Sequence, residues 1–559
     1  MKRLLALFLV IVMTVSAFAG CQQEESASIR KKTETEKVTE PAHRESLVPE
    51  LGEDEDILTF RYEEKYLDLY YEKLEQLEQA AMDGDLERSL TLQEDCEELA
   101  YFIYDQATIA EILHYCNTKD EEASDLHLEM IDISYNMSDV EIMTMRRIYQ
   151  SDCTIKDELF ADWTEEDIAY LEKYTSEVKD IQQREEEILV DVREMTDEEM
   201  QEDIGPYYSE IVVNNNRTAE IFGYENFYEY AYRDLRDRDY GAQEVERLRS
   251  YVKDYCIVIY EAALEQFYDE FYDLSTKKQD KMRDLLTGSY DDSDYLEEYL
   301  EALPEEMGHE MLGMLDGYVV FPKGSKAKEG AFTTLIGGHP FCYFSRGYKS
   351  ATTVAHEMGH YYGGLYAELM DLPLDLAEIQ SQGNEWLMLV YSAEEMDEDV
   401  FNCYLNYRFA NDVATILAAV IIDDFEERVY TTEGVEDFEA EDFDRLMEEV
   451  CEDYGGIEKL EEILDLKTAW RQVALEQPGY YISYAVSMVP SLDIFFCASE
   501  DWEEAVEIYK KLTEELAEDP AFLDTIEGAG LATPFEKTLF AKLLSHYELV
   551  DVEEEAKTA

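Results

Sequence analysis

The chain has 559 residues and a formal net charge of −86, from 132 acidic and 46 basic side chains. That balance excludes nucleic acid and anionic lipid as partners, because both carry the same sign. The charge is spread along the chain, as in Glu185-Glu186-Glu187, so it reads as solvated surface in preference to an electrostatic funnel for cationic peptides. Composition fits a large globular exoprotein, and the length allows two or three domains, with no linker standing out between residues 58 and 546.

Residues 1–20 read as a lipoprotein-type signal peptide. Lys2-Arg3 is a short positive start, Leu4 to Ala17 is an apolar run too short to span a bilayer, and the small pair Ala19-Gly20 precedes Cys21. Small residues directly before a cysteine resemble a bacterial lipobox, although Phe18 stands where Leu is usual. Cleavage there leaves Cys21 as the lipidated N-terminus, and residues 21–57, polar with few aromatics, as a flexible tether. The expected location is extracytoplasmic, anchored to the membrane only through that lipid; plain secretion is the alternative.

Residues 58–204 read as an N-terminal helical region. Glu63 to Ala81, Leu86 to Tyr115, Glu122 to Ile148 and Thr164 to Met195 carry apolar residues at three- and four-residue spacing. Thr164-Glu165-Glu166-Asp167 and Thr196-Asp197-Glu198-Glu199 have the pattern of helix starts with acidic first turns. Further on, Gly288 to Ser293 is a loop, and strand-forming residues concentrate at Gly317 to Phe321 and Phe341 to Phe344. These predict a small sheet, whose edge can pair with an extended peptide. The cysteines after Cys21 show no metal spacing, and their disulfide state stays open. Residues 547–559 form an acidic tail.

The richest chemistry lies in His356-Glu357-Met358-Gly359-His360. Two histidines four apart share one helix face, so both imidazoles reach one zinc ion with Glu357 beside it. Gly359 admits the close approach of another backbone or of a metal. A catalytic zinc takes three protein ligands and keeps a position open. Glu378 is the leading third ligand: Asp371 to Asp375 breaks the helix, and a returning helix brings Glu378 back over the histidines. Glu385, seven residues further, shares its face. Glu368, Asp371 and Asp375 are rival carboxylates.

The block from Gly330 to Trp386 resembles the thimet oligopeptidase and oligoendopeptidase F family of zinc metallopeptidases. The resemblance rests on Lys328 to Phe332, Pro340-Phe341, Thr353 to His360, and Ala377-Glu378 through Asn384-Glu385. It implies Glu378 as third zinc ligand, Glu357 as general base, and Gly330, Ala331 and Phe332 as substrate contacts. Gln477 to Ala485 resembles the family's tyrosine segment, which implies that Tyr484, with Tyr480, donates to the carbonyl oxygen in the transition state. No His lies in the twenty residues before Tyr484, so the family's auxiliary histidine is missing or replaced by Gln472 or Gln477. Asn216 to Phe227 is a weaker match, one residue tighter than the family's spacing.

These readings predict a mainly α metallopeptidase with a deep channel and a small β-sheet beside the zinc helix, its catalytic region spanning 205–546. It is expected to act as a monomer, with one zinc, cleaving oligopeptides internally. The alternatives are a lipoprotein that binds peptides without cutting them and a zinc exopeptidase of the dipeptidyl carboxypeptidase type.

Overall fold

The computed structural model describes residues 46–549 apart from 50, 52–55, 162, 194, 196–199, 201–202, 288–293, 368–371, 457–459, 461–469, 472–477 and 517–519. The expectations for the signal, Cys21, most of the tether and the acidic tail, the helix start at 196–199, the loop at 288–293, Glu368, Asp371, Gln472 and Gln477 fall outside these residues.

The first long helices among the described residues are α1 (Glu64–Asp83), α2 (Leu86–Cys116) and α3 (Glu121–Gln150). Each follows the predicted periodicity to within about two residues. Gly84 ends α1 in the left-handed region, φ 73°, its N–H returning to Ala80 and Ala81. Asp85 and Asp120 then cap α2 and α3 with their carboxylates.

The helix predicted from Thr164 to Met195 is two helices, α4 (Glu165–Lys173) and α5 (Ser176–Arg193). Thr164 and Asp167 form the capping box that their spacing announced. The break falls at Tyr174, whose backbone is extended and whose buried hydroxyl bonds Asp139 of α3. The apolar periodicity continues through the break, so the pattern alone reads as one helix.

The second half is built around long buried helices. α6 (Gly205–Phe222) leads through a π-helical turn, Ala231–Leu235, to α7 (Ala242–Tyr251) and α8 (Ile257–Asp273). A three-stranded sheet of β1 (Val319–Val320), β2 (Ala331–Ile336) and β3 (His339–Phe344) follows, in the order β1-β3-β2. β1 pairs parallel with β3, and β2 antiparallel, with Thr333 opposite Cys342. β2 was not among the expected strands, because Ala-Phe-Thr-Thr-Leu-Ile lacks a clean alternation. It is an edge strand.

Next come α9 (Ala351–Gly363), α10 (Leu374–Glu395), α11 (Glu398–Thr431), α12 (Ala440–Asp453) and α13 (Ile482–Glu500). α10, α11 and α13 pack together at the centre, with α9 against α10 and α8 against α11. α11 and α13 are long and apolar enough to cross a membrane, yet both are mostly buried in this core. The eight cysteines among the described residues are all unpaired.

Candidate metal centre

Ser350 starts α9 by accepting a hydrogen bond from the Thr353 N–H. His356 and His360 follow on one face, ring centroids 5.0 Å apart. A Cβ built on Gly359 would lie 2.4 Å from the Gln380 carbonyl oxygen. The two helices therefore meet backbone to backbone, as glycine alone permits. This approach puts Glu378 Oε2 3.7 Å from His356 Nε2 and 3.8 Å from His360 Nε2.

All three ligand atoms lie within 4.8 Å of one another, in the one such cluster among the described residues. Around a tetrahedral zinc with bonds of about 2.0–2.1 Å, neighbouring ligand atoms stand roughly 3.3 Å apart. The two Glu378 separations stand within roughly half an ångström of that value, and two imidazoles with one carboxylate are the donors of a catalytic zinc. The residues fit the metal.

The surroundings fix each ligand. His356 Nδ1 bonds Glu385 Oε1 at 2.7 Å, which directs Nε2 at the cluster. Arg408 of α11 donates to Glu385 Oε2 at 2.8 Å and reaches Asp412 at 3.4 Å. Burial alone would lower the pKa of His356; the bond and charge of Glu385, with Glu357 and Glu378, outweigh it and lift the group to about 9. Burial and the neighbouring His356 hold His360 well below the usual imidazole range. Ser381 donates to Glu378 Oε2 at 3.1 Å.

Glu357 is 4% exposed, and Thr333 of β2 donates to its Oε2 at 2.7 Å. Burial raises it, against the charge of His356 and the Thr333 bond, to about 7. A carboxylate so placed is balanced between taking and giving a proton near neutrality.

Tyr480 and Tyr484 face each other, hydroxyls 3.0 Å apart. Burial pushes the Tyr484 phenol up, and the neighbouring Tyr480 and the Glu378 charge push it further. The backbone of Gly330 is engaged by Ser345, which accepts from its N–H and donates to its carbonyl. Phe332 sits in a separate apolar cluster with Ile109, Ile112, Tyr115 and Tyr343. Gly330 thus opens the hairpin, Ala331 is buried behind it, and Phe332 anchors it. Asp375 bonds Arg238 and Tyr240 and is not one of the three clustered ligands.

Sequence reasoning missed Thr333 and Arg408. Alternation from Ala331 would have put Thr333 on the strand face toward α9. Arg408, 23 residues after Glu385 and on another helix, carries no sequence signal.

No family model matches the sequence, and no curated protein matches it. Solved structures do. PZ peptidase A with an inhibitor superposes with a TM-score of 0.65 at 18% identity, over 88% of this chain and 98% of that one. Oligoendopeptidase-F from Enterococcus faecium gives 0.55 at 16%, over 89% and 99%. An M32 carboxypeptidase from Deinococcus radiodurans gives 0.50 at 11%, over 87% and 100%. The chain has the fold of the oligoendopeptidase F and PZ peptidase group.

Proposed function

We propose that this chain is a zinc metallopeptidase that cleaves oligopeptides internally. One observation carries the reading: His356, His360 and Glu378 converge within 4.8 Å, with a buried Glu357 beside them, in a fold shared with peptidases. A receptor that only holds peptides has no use for that convergence.

His356, His360 and Glu378 would hold the zinc, which when bound would supply a Lewis acid to acidify water and polarise the scissile carbonyl. Glu357 takes the proton of the attacking water and passes it to the leaving amine, while Thr333 keeps its carboxylate in place. The outer edge of β2 pairs with the extended substrate backbone. Tyr484, backed by Tyr480, donates its O–H to the carbonyl oxygen as charge develops there. The amino-terminal pattern supports a place outside the cytoplasm, held by lipid on Cys21; Cys21→Ala is expected to release the protein or block its processing, read by fractionation.

The carboxypeptidase among the structural neighbours shows that this fold also serves exopeptidases. Mass spectrometry of products from one long peptide tests the reading. Chelator-sensitive internal fragments are expected, whereas stepwise loss from one end, or no cleavage at all, contradicts it.

A further inference from the structure

Arg238 lies outside every sequence motif, yet it joins two halves of the candidate site. Its side chain is 1% exposed. Nη2 donates to the Gly479 carbonyl at 2.8 Å and to Ser483 Oγ at 2.9 Å, and Nε to Asp375 Oδ2 at 3.3 Å. The Tyr240 hydroxyl donates to the same Asp375 oxygen at 2.8 Å. The guanidinium stacks 4.4 Å from the Tyr232 ring centroid.

Its partners give these contacts meaning. Asp375 is the second residue of α10, three before Glu378, where a helix N-terminus favours a carboxylate. Gly479 and Ser483 bracket Tyr480, and Ser483 immediately precedes Tyr484. The other side of Gly479 is held too, its N–H donating to Glu426 Oε2 at 3.0 Å. One planar fork thus ties the segment with both hydroxyls to the first turn of the helix that supplies Glu378.

The backbone leading to Arg238 is distorted to reach this place. The π-helical turn Ala231–Leu235 ends just before it, and Asp237 takes a φ of 45°, rare for a residue other than glycine. Such irregularities cost energy and concentrate where function requires them. The same turn aims Arg236 at this segment, over the Tyr480 ring at 5.6 Å.

We propose that Arg238 is a positioning residue, which sets the Tyr480–Tyr484 hydroxyl pair relative to Glu378 and so to the reacting carbonyl. The proposal rests on the peptidase reading above. A misplacement of about 1 Å costs on the order of a hundredfold in rate, so a fork that fixes the register acts on kcat.

The test uses the mature chain with Arg238→Lys, which keeps the charge and loses the fork, and Ser483→Ala, which removes one partner. Arg238→Lys is expected to lower kcat by roughly tenfold or more, with KM within about twofold and zinc content and chelator resistance unchanged. Ser483→Ala follows in the same direction by a smaller factor. In a Tyr484→Phe background either change has little further effect, because the route to the substrate is already cut. Wild-type kcat in Arg238→Lys, losses that multiply with Tyr484→Phe, a silent Tyr484→Phe, or activity lost in step with zinc each overturns the positioning role and leaves the peptidase reading standing. An inactive wild type removes both. Should Arg238→Lys fail to fold, Ser483→Ala decides by the same criteria.

Discussion

Gly359 of α9 and Gln380 of α10 touch backbone to backbone, and that contact sets the distance between the two histidines and Glu378. A methyl group on Gly359 would meet the Gln380 carbonyl oxygen at 2.4 Å and the Ser381 Cα at 2.7 Å. Neither is a flexible side-chain end, so relief requires the helices to part. Gly359→Ala is expected to cost about 1–3 kcal/mol of stability and to weaken zinc binding as Glu378 retreats. Thermal unfolding and chelator competition read the two effects; a variant with native zinc affinity would show that the contact does not set the site.

Glu357→Gln keeps the shape and the Thr333 hydrogen bond but cannot take a proton. The fall expected in kcat is about a hundredfold or more, with zinc retained in full. Glu378→Gln is expected to do the reverse and weaken the metal first. Metal analysis beside steady-state kinetics separates the two, and an exchange of the two phenotypes would mean that ligand and base are misassigned.

The chain Asp412–Arg408–Glu385–His356 predicts effects at a distance from the metal. Glu385→Ala frees the His356 ring and is expected to lower zinc affinity about 10–100-fold. Arg408→Met leaves Glu385 and Asp412 buried beside each other without the guanidinium, a loss of about 3–5 kcal/mol. Competition with a fluorescent chelator and denaturant unfolding give the two numbers; unchanged affinity in Glu385→Ala would reduce its contact with His356 to packing.

A pH dependence follows from Glu426. Burial first, then the charge of Asp423, raises its pKa to about 8, against the Gly479 N–H and Arg236 and Arg238. A raised acid favours the folded state fully below its unfolded pKa, near 4.5, and that contribution is lost as pH rises through about 8. Glu426→Gln keeps an acceptor for Gly479 without ionising. Its melting temperature is therefore expected to fall less than the wild type's between about pH 5 and 8. Parallel curves would show that Glu426 does not titrate in this range.

What the sequence disclosed depends on how local each signal is. The helices α1, α2 and α3 follow from apolar spacing over many turns, which a 3.6-residue period makes conspicuous. The convergence of His356, His360 and Glu378 was legible because two ligands share one helix and the third follows a short break. The split at Tyr174 was not, because a buried tyrosine bonding another helix leaves the periodicity intact. β2 was missed because consecutive residues of the strand, Ala331, Phe332 and Thr333, are all buried, so its two faces do not differ in polarity. Thr333, Arg408 and Arg238 act across 23 to 245 residues of chain, and only the folded packing brings them to Glu357, Glu385 and the tyrosine segment.

The central claim is that His356, His360 and Glu378 form one zinc site on which peptide cleavage depends. The most direct measurement is zinc content by mass spectrometry, with cleavage of a quenched peptide, for the wild type and the His356→Ala, His360→Ala double variant. The account predicts about one zinc per wild-type chain, from one three-ligand site, with activity lost to chelator and restored by zinc, and neither metal nor activity in the variant. Stoichiometric zinc or peptide cleavage persisting in the variant would contradict it.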